Sequence, residues 1–239
     1  MEPDRIAELL EPFLSSGSES PALSVNQVQS ISIYIDLLLR WNARVNLTSV
    51  REPEEIVTRH FGESLFAARH LFPNQLRMKS DVATDQARPP VHVVDIGSGA
   101  GFPGLPIKVW APHIHLTLVE SNQKKAIFLR EAIRRLRLAN VDVFAGRADD
   151  FGKNDGGTNS PLGNRADIVT LRAVEGFDSI LPAAANLVAS GGRLALLVGE
   201  TQLERVRELA SGLRWPEPIK MPCSTRRVLI IGRKESSLE

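Results

Sequence analysis

The chain has 239 residues, of which 43% are hydrophobic, so it can bury one large core, and no apolar run approaches the ~20 residues of a membrane span. Its formal net charge is +1, from 29 Lys and Arg against 28 Asp and Glu. Overall charge therefore cannot hold a nucleic acid, and any such contact must come from local clusters of basic residues. Cys223 is the single cysteine and Met1 to Asp4 show no basic lead into an apolar stretch, so we expect a soluble cytoplasmic protein with no membrane contact and no metal site.

Residues 1–72 are predicted to form an N-terminal helical cap. Apolar residues recur at helical spacing from Ile6 to Leu14, and Ser24 with Gln27 has the form of a capping box that opens a second helix. A third helix begins at Pro53. The residues of its apolar stripe are Val57, Phe61, Leu65 and Ala68. Because each helix has one apolar face, we expect the cap to lie on a core.

Residues 73–90 contain three prolines and no hydrophobic period, which is typical of a linker. Beyond it, residues 91–239 alternate between strand and helix patterns, which favours a doubly wound parallel sheet. Strands are predicted at 93–96, 115–120, 141–145, 167–170 and 193–198, and helices from about Pro103 and over 123–137, 178–189 and 201–211. The stretch 152–165, rich in Gly, Asn and Asp, is predicted to be a surface loop.

The last two strand patterns, 219–221 and 227–231, follow each other without room for a crossover helix, so they should pair antiparallel. Parallel strands that end in such a hairpin indicate a Class I, Rossmann-like methyltransferase fold with a mostly parallel seven-stranded sheet.

The most informative segment is Val93–Gly104, a buried strand that runs into a glycine turn and a helix start. Gly97, Gly99 and Gly101 allow positive φ and let a ligand approach bare backbone, which predicts a nucleotide cradle. The spacing from Gly99 to Gly104 also fits the dinucleotide fingerprint. A nicotinamide-dependent oxidoreductase is therefore the alternative to a methyltransferase.

Three acidic residues bear on the ligand. Glu120 closes the second strand, where its carboxylate could hold ribose hydroxyls of either nucleotide. Asp95, just inside the glycine turn, would repel a pyrophosphate, whereas S-adenosylmethionine has no phosphate and carries two positive groups, so Asp95 favours the methyl donor. Asp149 follows the third strand and is a candidate for the adenine amino group, with a helix cap as the alternative role.

Three basic residues lie at the predicted carboxyl edge of the sheet. Arg172 follows the fourth strand at the mouth of the site, unless it forms a surface salt bridge. Lys124 and Lys125 begin a helix, where the helix dipole disfavours cations. Either RNA phosphates or Glu120 would compensate their charge.

Four segments, in this order along the chain, resemble the RsmG (GidB) family of bacterial 16S ribosomal RNA guanine-N7 methyltransferases. They are Trp41-Asn42 with Val45–Val50, Arg59-His60, Asp95–Gly104 and Arg172-Ala173, and the likeness runs from about residue 25 to 233. The resemblance implies transfer of a methyl group from S-adenosylmethionine to N7 of a guanine in 16S rRNA, guanine 527 in that family. The 16S rRNA or the small ribosomal subunit would be the partner.

The resemblance also implies roles for single residues, added to those proposed above. The candidate cofactor-binding residues are Asp95, Gly97, Gly99, Gly101, Phe102, Glu120, Ala148, Asp149 and Arg172. The candidate RNA-binding residues are Arg59, His60, Lys124, Lys125 and Arg227. Without the family, His60 would be taken for a satisfied helix histidine.

Guanine N7 has an in-plane lone pair and no proton, so it can attack the donor methyl without a general base. No catalytic residue is therefore assigned, and Arg172 is the candidate at the mouth of the site. Two departures stand out: Leu171 occupies a position where the family more often has serine, and Val198 one where it has lysine. Because the second departure removes a base, a non-catalytic RNA-binding module is a further alternative.

Overall fold

The computed structural model describes residues 1–15, 23–73, 89–153, 165–172, 174 and 176–236. In this part of the chain one seven-stranded sheet is covered by helices on both faces, which confirms the predicted α/β fold. No helix there is both long and apolar enough to cross a membrane.

The seven strands run in the spatial order third, second, first, fourth, fifth, seventh and sixth. Their bounds are β1 His92–Ile96, β2 His115–Val119, β3 Val141–Phe144, β4 Ala166–Arg172, β5 Val188–Gly199, β6 Ile219–Lys220 and β7 Arg227–Arg233. Strands β1 to β5 are parallel. The order reverses between β1 and β4, and in open α/β sheets the crevice at the carboxyl ends of such strands is the usual ligand site.

The C-terminal hairpin is confirmed, because β7 pairs antiparallel with β6. Strand β7 also inserts between β6 and β5 and pairs antiparallel with β5, which the sequence pattern did not indicate. In this register Arg227 lies opposite Gly199. The start of β7 is thereby brought to the carboxyl edge of the parallel strands.

The cap contains helices on both sides of a segment that is not described. Their bounds are α1 Pro3–Leu14, α2 Val25–Asn42, α3 Pro53–Glu55 and α4 Glu63–Leu71. The capping box of α2 is confirmed: the Ser24 N–H donates to Gln27 Oε1 at 2.8 Å, and the Gln27 N–H donates to Ser24 Oγ at 3.3 Å.

The third predicted helix is interrupted by a π-helical segment, Ile56–Gly62, between α3 and α4. The apolar stripe continues through it, and Val57, Phe61 and Leu65 are fully buried, so periodicity alone did not separate the two helix types. A π segment widens the helix locally and is frequent at functional sites. This one carries Arg59 and His60.

The remaining helices alternate with the strands, as predicted. They are α5 Gly104–Trp110, α6 Gln123–Arg135, α7 Ala148–Lys153, α8 Phe177–Leu187 and α9 Leu203–Leu209, the last preceded by a 3-10 turn, Glu200–Gln202. Helix α7 is short. It was not among the predicted helices, although a helix cap was the alternative role considered for Asp149. The predicted linker 73–90 and loop 152–165 fall largely outside the described residues.

Successive strand residues belong to two apolar layers, one on each face of the sheet. Val93 and Ile168 lie in the layer shared with the cap helices, α5 and α6, whereas Val94 and Val169 lie in the layer under α8 and α9. The cap therefore shares a core with one face of the sheet, and it meets the sheet at the carboxyl edge of β1 and β4.

Candidate functional site

A cleft of about 600 Å³ opens at the carboxyl ends of β1, β2 and β4. Its floor is formed by the glycine turn and the end of β2, and its opposite wall by the cap loop 46–50 with the π segment. Its volume is in the range typical of small-molecule sites.

The glycine turn is fixed to the neighbouring strand by backbone bonds. The N–H groups of Gly97 and Ser98 donate to the carbonyl of Val119 at 2.9 and 3.1 Å. Gly97 lines the cleft with φ +66°, and a Cβ there would lie 2.5 Å from the Val174 side chain. This position therefore requires glycine both for its conformation and for space.

Phe102 connects the turn to the cap. Its ring stacks between Tyr34, at 5.5 Å, and His60, at 4.8 Å between centroids. The Tyr34 hydroxyl donates to the carbonyl of Ala100 in the turn. Gly101, with φ +86°, packs against Tyr34 and does not line the cleft, so its contact with a ligand remains a prediction.

Asp95 is fully buried beneath the turn and does not line the cleft. Its Oδ1 accepts a hydrogen bond from Thr170 Oγ1 at 2.7 Å, and its Oδ2 accepts one from the Gly104 N–H at 3.2 Å. Burial raises the pKa of Asp95 to about 6, against the effect of these bonds. The carboxylate therefore joins β1, β4 and α5 behind the ligand site and has no contact with the cleft.

Glu120 lies at the end of β2 and lines the cleft. Its Oε2 accepts the Gly99 N–H at 2.8 Å and its Oε1 accepts the Asn122 N–H at 2.7 Å. An ionised carboxylate has about four acceptor positions, so each oxygen can accept one more bond. Glu120 is thus fixed by backbone donors with acceptor capacity left.

The two lysines of α6 differ in position. Lys125 is half-buried and lines the cleft, whereas Lys124 is exposed and lies outside it. Asn122 caps the helix, because its Oδ1 accepts the N–H groups of both lysines at 3.0 and 3.2 Å. Among the described residues neither lysine pairs with Glu120, so the proposed compensation by that carboxylate is not found in the structure.

A buried charged cluster closes the cleft between cap and sheet. Glu63 of α4 accepts from Arg172 Nη2 at 3.1 Å and forms an ion pair with Arg227 at 3.0 Å, while its own side chain is 4% exposed. Burial lowers the pKa of Arg172 to about 10, and Glu63 opposes that shift. Arg172 is therefore a buried, protonated residue of the cleft, and the alternative of a surface salt bridge is wrong.

His60 extends this cluster toward the cap loop. Arg172 Nη1 lies 3.0 Å from His60 Nδ1, and His60 Nε2 lies 2.8 Å from Thr48 Oγ1. Burial, followed by the charge of Arg172, lowers the pKa of His60 to about 3. The imidazole is therefore neutral near pH 7, so it contributes packing and hydrogen bonds to the wall without adding a charge.

Nine of the predicted site residues meet in the cleft and five do not. Those that line it are Gly97, Gly99, Phe102, Glu120, Arg172, Arg59, His60, Lys125 and Arg227. Asp95, Gly101, Lys124, Ala148 and Asp149 do not line it. Asp149 is exposed in the first turn of α7, so its contact with an adenine remains a prediction, and Ala173 lies outside the described residues.

Sequence reasoning missed two features of the site. Glu63 is the first residue of α4, where an acidic side chain is ordinary, so its buried role had no signal in the sequence. The loop 46–50 lies in a segment that resembles the family, but no role was predicted for it; Asn42 Oδ1 accepts the N–H groups of Leu47 and Thr48 at 2.9 and 3.0 Å. This loop forms one wall of the cleft.

The two departures from the family pattern lie together in the core. Leu171 and Val198 are buried in the apolar layer under α8 and α9. Arg227 lines the cleft and lies opposite Gly199, the residue after Val198.

A family model described as GidB, rRNA small subunit methyltransferase G, matches residues 27–221. A protein of Xanthomonas campestris pv. campestris named ribosomal RNA small subunit methyltransferase G is 32% identical over 225 residues, which cover 93% of this chain and 94% of the relative. One of the same name from Bacillus subtilis is 34% identical over 234 residues, 94% of this chain and 90% of the relative.

Solved structures resemble the fold at low sequence identity. TrmN from Thermus thermophilus superposes with a TM-score of 0.52 at 17% identity, covering 74% of this chain and 53% of TrmN. The fibrillarin pre-rRNA processing protein of Methanococcus jannaschii gives 0.50 at 13% identity, covering 63% and 69%. These likenesses support the predicted Rossmann-like methyltransferase fold.

Proposed function

The chain belongs to the rRNA small subunit methyltransferase G family, and on that premise we propose that it transfers a methyl group from S-adenosylmethionine to N7 of a guanine in 16S rRNA. One observation supports this most: a single cleft combines a glycine turn and a strand-end carboxylate with basic side chains from the cap and the sheet. A methyltransferase that acts on RNA needs both a donor site and an electropositive approach for phosphates.

The residues of the floor fit the methyl donor. Gly97 and Gly99 expose backbone where a side chain would fill the space, and Glu120 has free acceptor positions for ribose hydroxyls. When bound, S-adenosylmethionine supplies a methyl group made electrophilic by its sulfonium. We place Asp149 near the adenine on the strength of its position after β3, and Phe102 beneath the donor as the rigid contact that joins turn and cap.

The basic residues fit an RNA chain at the mouth of the cleft. Lys125 has no acidic partner among the described residues, so its charge is free for a phosphate, and we assign exposed Lys124 to the same strand of RNA. Arg59 is bound by Glu55 at 2.8 Å and Arg227 by Glu63, so both are oriented before RNA arrives. His60 supplies a flat neutral ring to the wall.

The transfer moves no proton. The lone pair of guanine N7 forms the new N–C bond as the S–C bond breaks, and the positive charge passes from sulfur to the guanine ring. The protein must therefore hold nucleophile and methyl in line, and this positioning lowers the barrier. The stacked Tyr34, Phe102 and His60 make this part of the cleft rigid, while neutral His60 adds no charge to a wall that faces a cationic product.

The direct test is transfer of labelled methyl from S-adenosylmethionine to small ribosomal subunits, or to 16S rRNA, from cells that lack the activity, followed by mapping of the modified base. We expect one 7-methylguanine. Glu120→Gln should weaken donor binding, whereas the matched change at exposed Glu208 should leave it unaltered. Label in another base, or donor binding with no transfer, would contradict the proposal; the second result would favour the non-catalytic RNA-binding alternative.

A further inference from the structure

Thr48 lies in the cap wall of the cleft, on a loop whose backbone is held by a side chain of helix α2. Asn42, at the end of α2, accepts the Thr48 N–H with Oδ1 at 3.0 Å and donates from Nδ2 to the Thr48 carbonyl at 2.9 Å. These bonds hold the backbone of Thr48 and leave its side-chain hydroxyl to make other contacts.

The hydrogen bonds around His60 determine whether the Thr48 hydroxyl accepts or donates toward the imidazole. A guanidinium can only donate, so the 3.0 Å contact from Arg172 makes His60 Nδ1 an acceptor. The neutral ring must then carry its proton on Nε2, 2.8 Å from Thr48 Oγ1, and donate it to that oxygen. Glu63 holds the other end of Arg172 at 3.1 Å, so the tautomer is fixed by buried groups.

A second donor reaches the same oxygen. The backbone N–H of Val50 donates to Thr48 Oγ1 at 3.1 Å. Both lone pairs of the hydroxyl are therefore occupied, and among the described residues no acceptor takes its hydrogen. Thr48 thus presents to the cleft a hydroxyl that can donate and cannot accept.

We propose that this hydroxyl donates a hydrogen bond to O6 of the target guanine and so selects guanine over adenine, an inference that rests on the proposed function. O6 is the acceptor adjacent to N7 on the same edge of guanine, whereas adenine has an amino donor at the corresponding position. A free hydroxyl could rotate and accept from that amino group. The bonds from His60 and Val50 remove this option. The amino group of adenine, itself a donor, would therefore meet a hydroxyl that can only donate.

The test is a double-mutant cycle that removes the Thr48 hydroxyl from the protein and O6 from the substrate base. Wild type and Thr48→Val are compared on small subunits whose target guanine is retained or replaced by 2-aminopurine, which keeps N7 but lacks O6 and the N1 hydrogen, so the coupling between the two changes is the quantity that tests the bond. We expect each single change to lower kcat/KM about tenfold, the effect of one hydrogen bond at this stage of the reaction. Together they should lower it no more than about twofold further, because both remove the same bond.

Three results would overturn the assignment: multiplicative losses of about a hundredfold, no loss on 2-aminopurine with wild type, or a loss in Thr48→Ser as large as in Thr48→Val. Thr48→Ser keeps the hydroxyl and should stay within threefold of wild type. The 2-aminopurine arm needs no variant, so an unchanged rate there overturns the assignment even if Thr48→Val folds poorly. Donor affinity, measured by calorimetry, should be the same in all variants.

Thr58→Val is the matched control, since Thr58 donates to the Glu54 carbonyl within its own helix at 3.1 Å and lies outside the cleft. It should change neither kcat/KM nor the choice of base. A wild-type protein that methylates no guanine would contradict the proposed function itself, whereas methylation with independent losses would contradict only the role of Thr48.

Discussion

Glu63→Gln should destabilise the protein far more than the loss of an ordinary ion pair. The Glu63 side chain is 4% exposed and stands between two guanidinium groups, with Arg172 6% and Arg227 22% exposed. Breaking a buried pair by removing one partner costs about 3–5 kcal/mol, because the other charge is left buried without compensation. We expect the free energy of unfolding to fall by about 3 kcal/mol, since Arg227 can still reach water and only Arg172 bears the full penalty.

Urea denaturation of the purified protein at neutral pH measures this loss, with Glu8→Gln as the control. Glu8 pairs with Arg5 at 2.7 Å, but its side chain is 68% exposed, so the change should cost under about 1 kcal/mol. Adding Arg172→Met to Glu63→Gln removes the uncompensated charge and should cost less than the sum of the two single changes. Equal losses in Glu63→Gln and Glu8→Gln, or strict additivity, would refute the argument that Arg172 depends on Glu63.

Three further predictions concern the floor and the mouth of the cleft. Burial raises the pKa of Asp95 to about 6, so the folded state retains a proton that the unfolded state releases near pH 4. Wild type should therefore lose about 2 kcal/mol of stability relative to Asp95→Asn between pH 4 and 7, and parallel stability profiles would contradict this. Glu120→Ala and Asp149→Ala should each weaken donor binding in calorimetry, and a residue whose variant binds the donor normally does not belong to the donor site. The double alanine variant of Lys124 and Lys125 should bind RNA more weakly with a salt slope reduced by about 1.4, and a wild-type slope would remove both from the RNA contact.

The sheet and most helices could be predicted because their signals are local. Strands that are apolar on both faces, separated by helix-length segments, specify a parallel sheet wherever they occur in the chain. The position of β7 between β5 and β6 could not be predicted, because strand order depends on which edges meet after folding. The π segment was missed for a related reason: its apolar stripe matches an ordinary helix, and the difference lies in the backbone bonds.

The candidate site was predicted on its floor and only in part in its wall. Gly97 and Glu120 are identified by their order after successive strands, which fixes where they meet. Glu63 comes from the cap, and nothing in its sequence surroundings shows that it will contact Arg172, more than a hundred positions away. Thr48 contacts His60 within the cap, but its place in the cleft depends on how the cap packs on the sheet. Asp95 was placed in the site because it adjoins the turn, but strand alternation turns its side chain toward Thr170.

The charged cluster also shows why the cap and the sheet work as one unit. Glu63 belongs to the cap, Arg172 ends β4 and Arg227 begins β7, so three distant segments supply one set of ion pairs. The cap supplies the only carboxylate that contacts both arginines within the described residues, and the sheet supplies the cation that fixes the His60 tautomer. Without the cap, the Arg172 charge would lose its carboxylate partner. Without the sheet, His60 would lose the contact that fixes its tautomer, and the Thr48 hydroxyl would no longer be restricted to donating. The geometry of the cleft therefore depends on both parts being packed together, and a substitution at Glu63 or Arg172 should perturb the wall at His60 and Thr48 more than the floor at Gly97 and Glu120.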